Sequence, residues 1–217
     1  MKQNEHGRIL AVAAKRHLTP VGGRRKGQSR VWLIDHGYWL VQIEFQPSGW
    51  SKGSYLNVGA HWLWRYEPGP ITFDYNDRVE GFISFESGEQ FEPEADRLAT
   101  RAAKEALKLE GIFGSITETA QVLTNLVMAG RTGWSTYHAA VAAGLAGEIS
   151  QSQRLLERVQ IDFADPVRSV ASRLERVLDR PGDYRAAVEV SIAEQRSHNK
   201  LPVCPNPFGS TDLPHHR

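Results

Sequence analysis

An α+β fold with an antiparallel sheet follows from three observations on this 217-residue chain. Between Arg30 and Trp62, apolar and polar residues alternate with the period of two that marks half-buried strands. From Glu94 onward, apolar residues recur at the three-to-four spacing of a helix face. The two patterns fill successive stretches of the chain, so strands are followed by helices.

Asn4 is placed to cap a first helix reaching about Leu18, where Thr19-Pro20 and Gly22-Gly23 stop it. A strand over Arg30–Ile34 then leads into Asp35-His36-Gly37, read as a three-residue loop in which the glycine takes positive φ. In Trp39–Gln46 the odd positions Trp39, Val41, Ile43 and Phe45 are large and apolar, while Gln42, Glu44 and Gln46 share the opposite side. In Tyr55–Trp62 the apolar set moves to the even positions Leu56, Val58, Ala60 and Trp62. An antiparallel pair that shares one core face then sets Phe45 opposite Leu56, Ile43 opposite Val58, Val41 opposite Ala60 and Trp39 opposite Trp62. Val31 and Leu33 are expected to extend that face. Ile71–Tyr75 and Arg78–Glu86 read as two more strands, making about five.

Leu98, Ala102, Ala106 and Leu109 mark the next helix, with Glu92-Pro93-Glu94 as its acidic start. Further helices are expected near 115–129, 134–146, 149–160, 165–179 and 183–197. From Leu201 onward, prolines and a Gly-Ser-Thr segment argue against a regular element. The domain division read from this pattern is a helix-plus-sheet domain at 1–90, a helical region at 91–200 and a disordered tail at 201–217.

The 26 basic and 25 acidic residues nearly cancel, which argues against unspecific attraction of the whole surface to nucleic acid or to an acidic membrane. The charges are unevenly placed: residues 1–30 hold eight Lys or Arg against one Glu, and residues 74–118 hold eleven acids against five bases. With a single cysteine, Cys204, the chain forms no internal disulfide, and no apolar run approaches the ~20 residues that cross a bilayer. The first residues, Met1-Lys2-Gln3-Asn4-Glu5-His6, do not read as a signal peptide. A cytoplasmic location is the expectation.

Three groups of residues are candidates for function. The second sheet face, with Gln42, Glu44, Gln46, Tyr55, Asn57 and His61, offers donors and acceptors that are either a helix-covered surface or a ligand-binding one. Within it, Glu44 and His61 are the residues an acid/base enzyme would use. The loop Pro47–Gly53 places Trp50 beside Lys52 among Gly and Ser, with no periodic reason for burial; with Trp32 these are candidate partner contacts. The segment Gly22–Gly27, with Arg24, Arg25 and Lys26, reads either as a solvated turn or, joined by Arg30, as an anion or nucleic-acid site, although it lacks Walker spacing. The dispersed histidines form no metal motif, Cys204 has no nearby catalytic partner, and no cofactor motif is present.

A helix ending before Gly23-Arg24-Arg25-Lys26-Gly27, then Ile43-Glu44-Phe45-Gln46-Pro47-Ser48, then Gly53-Ser54-Tyr55-Leu56-Asn57-Val58-Gly59 resembles the bacterial family called domain of unknown function 4304 over about residues 8–90. That resemblance implies an architecture and no reaction. Tyr137-His138-Ala139-Ala140, Gly147 and Ser152–Leu156 with Val159 look similar to a single tetratricopeptide-type helical hairpin over 134–159. The function expected from these features is non-enzymatic binding of another protein. An enzyme acting through Glu44 and His61 and a nucleic-acid module acting through Arg24–Arg30 are the alternatives.

Overall fold

The computed structural model describes residues 5–65, 67–76 and 78–209. It confirms the α+β class: seven helices and a five-stranded antiparallel sheet. The chain forms two compact units, Met1–His61 with Ile71–Gly111, and Trp62–Pro70 with Ile112–Arg217.

The first unit opens with α1, Glu5–Leu18, whose expected cap Asn4 lies outside the described residues. A 3₁₀ turn over Thr19–Val21 follows, ended by Gly22 at φ 81. The sheet order is sequential, β1 (Arg24–Arg25), β2 (Val31–Asp35), β3 (Trp39–Pro47), β4 (Gly53–Trp62) and β5 (Arg78–Ser84). All the residues of the alternating core set in β3 and β4 are buried. Helix α1 lies on their face, where His6 reaches Ser54 at 3.3 Å and Gly7, Leu10 and Ala11 border Trp32 and Phe45. Helix α2, Gly88–Ile112, belongs to this unit as well, whereas the sequence division assigned it to the helical region. It buries Phe91, Ala95, Leu98, Ala99, Ala102, Ala106 and Leu109, one continuous stripe.

Several expectations are corrected. The β2–β3 turn is shorter than read: the His36 amide donates to the Trp39 carbonyl, leaving only Gly37, at φ 84, and Tyr38 between them. The resulting register pairs Trp32 with Ile43 and Ile34 with Val41, so Trp32 and Ile34 join the core row, while Val31 and Leu33 stand beside Glu44 and Gln42. An odd shift in register always exchanges the faces of a strand. Ile71–Tyr75 is not a strand; Tyr75 makes an isolated bridge to Ala60. The fifth strand is instead the unforeseen pair Arg24–Arg25. Helix α2 starts earlier than Glu94, because Ser87 Oγ accepts from the Gln90 amide and forms the helix start, with Pro93 accommodated inside. Within the expected tail, the described residues 201–209 form no regular element, yet Pro207 is buried, Phe208 is half-buried and Arg185 lies over the Phe208 ring at 4.8 Å.

The second unit contains α3 (Ile116–Met128), α4 (Trp134–Leu145), α5 (Ile149–Asp162), α6 (Val167–Glu175) and α7 (Pro181–His198). Helix α4 is apolar all round, and Thr136 through Gly144 are buried. Such a helix must be surrounded, and α4 packs against α3, α5 and α7. The α4–α5 hairpin turns at Gly147, φ 80, and Ser152 Oγ donates to the Ala140 carbonyl at 2.8 Å. Gly144 lets α7 approach, since a Cβ there would lie 2.4 Å from the Tyr184 ring. The segment Trp62–Pro70 threads into this unit: Trp62 and Trp64 stack at 5.3 Å, and the Trp64 indole N–H donates to His138 Nδ1 at 3.1 Å. Gln195 then holds both the amide and the carbonyl of Gly69.

Two predictions follow from this packing. Gly144→Ala should overpack the α4–α7 contact and cost about 1–3 kcal/mol, read as a melting temperature several degrees below the parent's; unchanged melting would contradict the seating of Tyr184 against Gly144. Burial, reinforced by the Arg30 charge, depresses His6 from 6.5 to about 4. His6 is therefore neutral in the fold at pH values where the unfolded chain already protonates it. Its contribution is whole above pH 6.5 and falls as the pH drops toward 4, by up to roughly 3 kcal/mol. His6→Gln should flatten the fall in urea-unfolding free energy across that window; identical slopes in parent and variant would refute it.

Candidate functional site

The candidate site is the second face of the sheet together with the loop at the β3–β4 end. Its shape depends on two irregularities in β5. Ser54 pairs with Ile83, Leu56 with Glu80 and Asn57 with Arg78, so each step between these pairs holds one extra residue in β5. Such bulges re-aim side chains. Arg78 and Glu80 would share a face on a regular strand. Here Glu80 turns to α2, pairing with Arg97 at 3.2 Å and Arg101 at 3.1 Å, while Arg78 turns to the second face.

On that face Arg78 Nε donates to Asn57 Oδ1 at 2.8 Å and its Nη2 to Gln46 Oε1 at 3.0 Å. The Asn57 amide donates to Glu44 Oε2 at 3.2 Å and to Gln46 Oε1 at 3.0 Å. The guanidinium also lies over the Tyr55 ring at 4.1 Å, and the Phe82 ring packs tilted against Tyr55 with centroids 5.4 Å apart. An aromatic–cation row thus borders a bonded amide and carboxylate patch.

Phe82 links this row to the loop. Gly53 has φ 155, and a Cβ on it would meet the Phe82 ring at 2.5 Å, so glycine is required where the loop rejoins β4. The loop itself is held by its own bonds: Ser48 Oγ accepts from the amides of Trp50 at 3.2 Å and Ser51 at 3.4 Å, and the Lys52 carbonyl accepts from the Phe85 amide at 2.9 Å. Trp50 stands at its tip, 98 % exposed, and Phe82 is 37 % exposed at its base.

The structure unites some of the anticipated residues and separates others. Glu44, Gln46, Tyr55 and Asn57 form one network, and Lys52 and Trp50 share the loop. Gln42 is buried, its side-chain oxygen without a hydrogen-bond partner. Trp32 is only 5 % exposed and sits in the core row, so it offers no contact to a partner. His61 is 0 % exposed; its Nδ1 lies 2.8 Å from Asp74 Oδ2 and near the Thr72 amide and hydroxyl, a network separate from that of Glu44. The basic segment is a hairpin arm rather than a patch: Arg24 and Arg25 point to opposite faces, Arg25 binds the carbonyls of Gln28 and Ser29, Lys26 is exposed, and Arg30 turns inward to Ser54 at 3.2 Å.

Sequence reasoning missed Arg78 and Phe82. The one signal for them was Gly81 inside a strand pattern, a common mark of a bulge. Among the described residues no group of three or more His, Cys, Asp or Glu is placed to hold a metal, and no helix is long and apolar enough to cross a membrane. Comparison with protein-family models, with curated proteins and with solved structures found no match.

Proposed function

We propose that the chain is a protein-binding module whose anchor is Trp50. The observation that carries this reading is an indole left 98 % exposed on a loop that its own hydrogen bonds hold in place. A tryptophan buries about 150–250 Å² when covered, worth roughly 4–6 kcal/mol before the costs of association. No described residue collects that energy, and a ring on a braced loop loses little conformational freedom when a partner does. Phe82, at the loop base, extends the apolar area, and the Arg78–Asn57–Gln46 network supplies a polar margin whose groups are already oriented. The complementary partner surface is an apolar pocket for the indole with an acidic side chain for Lys52. The bonded state of Glu44 and the burial of His61 favour this reading over acid/base chemistry on the same face.

The test replaces Trp50 by the photo-crosslinking residue benzoylphenylalanine in the full chain within its native cells, with the same residue at exposed Leu107 as control. A discrete adduct specific to position 50 is expected. Trp50→Ala should change folding free energy by no more than about 0.5 kcal/mol and weaken binding of the captured protein by about thirtyfold or more. Equal affinity for parent and variant would overturn the proposal.

A further inference from the structure

Helix α6 borders a cleft of about 580 Å³ in the second unit, a volume suited to a small molecule. Ser169, Ser172, Arg173 and Arg176 recur along one helical face of it, and Glu67 and Asp165 also line it. Neither Arg173 nor Arg176 has an ion-pair partner among the described residues. On other helices the guanidiniums of Arg97, Arg101, Arg158, Arg180 and Arg185 each meet a carboxylate, while Arg154 is bonded to Gln151 instead. Like charges one helical turn apart repel, so holding this pair without a counter-charge is a cost that a bound anion would relieve. A third cation is fixed in place beside them: Arg168 Nε donates to the carbonyls of Gln160 at 2.9 Å and Phe163 at 3.2 Å. Asp165 is likewise occupied, accepting the Ser169 hydroxyl at 2.6 Å. Glu67 lines the same cleft as an acceptor and is ion-paired to neither arginine.

We infer that this cleft binds a small phosphate monoester that carries hydroxyl groups, its oxyanion taken by Arg173 and Arg176 and its hydroxyls by Glu67. Guanidinium forks match phosphate oxygens in bidentate geometry. A carboxylate in the same cleft repels a free anion but accepts from the hydroxyls of an ester, so it selects the ester over inorganic phosphate. The site lies apart from Trp50 in sequence and element, and either assignment stands or falls alone.

Isothermal titration of the full chain with ribose 5-phosphate, adenosine monophosphate and inorganic phosphate tests this. At least one ester should bind with Kd below about 1 mM, and inorganic phosphate at least about tenfold more weakly. The doubly substituted Arg173→Gln, Arg176→Gln chain should lose about a hundredfold in ester affinity. Arg154→Gln, on α5, should match the parent, and Glu67→Gln should weaken the ester while leaving or improving inorganic phosphate. Melting curves confirm that each variant is folded. Saturation by neither ester, equal binding by the double variant and the Arg154→Gln control, or inorganic phosphate binding as tightly as the esters would overturn the inference.

Discussion

The sheet unit depends on burying one row of side chains, Trp39, Val41, Ile43 and Phe45 on β3 beside Leu56, Val58 and Ala60 on β4, beneath α1. Because side chains alternate, closing that row dictates the rest of the sheet. It sends Gln42, Glu44, Gln46, Tyr55 and Asn57 to the opposite face, where the polar ones must find partners in one another or in neighbouring strands. Glu44, Gln46 and Asn57 do so, with Asn57 donating to both Glu44 and Gln46 and Arg78 donating to Asn57 and Gln46. Gln42 does not complete its bonding, and its buried oxygen marks a cost that the core row imposes on its own back face. The candidate surface is thus a consequence of core burial before it is anything else.

Much of this was legible in the sequence because alternation and helical spacing are strong signals. The rows of β3 and β4 were read residue by residue, and the helices from α3 to α7 were placed close to their observed bounds. Failures came where a local choice controls parity. Reading the β2–β3 loop as three residues rather than two moved Trp32 from core to surface, which made it a false candidate for binding. The β5 bulges acted in the same way, hiding Arg78 and Phe82, since the pairing of Arg78 with Asn57 exists only after a shift in register. Pro93 concealed the start of α2 because a proline ordinarily ends or begins a helix, whereas the Ser87 cap had already started this one. Exposure of Trp50, by contrast, was legible: a large aromatic among Gly, Ser and Lys has no strand or helix row to join. The α6 cleft was hidden for a different reason, since Glu67 and Arg173 are brought to one concavity only by the fold.

The second unit obeys a complementary constraint. Helix α4 carries small side chains from Ala139 to Gly144 apart from Val141, so neighbouring helices can approach that stretch closely but gain little area from any single residue there. Large residues supplied from outside the helix fill the remaining space: Tyr184 from α7 against Gly144, and Trp64 from the threaded segment against His138. With α3, α5 and α7 packed on it, α4 is the centre of a bundle rather than a wall of an open groove. Any ligand of this unit therefore meets peripheral elements, and α6, which packs on α5, is one of them.

The sheet edge bears on why the contact proposed for the first unit is assigned to the loop and face and not to the strand backbone. An exposed, regular edge strand invites a partner strand to add to it, and proteins commonly block this with charges and bulges. Strand β5 carries both. Its two register shifts break the even spacing of its backbone groups, and its charged residues Arg78 and Glu80 are tied to opposite faces by Asn57 and Gln46 on one side and Arg97 and Arg101 on the other. The same irregularities that spoil the edge as a template are those that bring Phe82 against Tyr55 and over Gly53, at the base of the Trp50 loop. The recognition proposed for this unit is accordingly one of side chains around the Trp50 indole, in which the shape of a partner's pocket, and not its capacity to form a strand, would decide the fit.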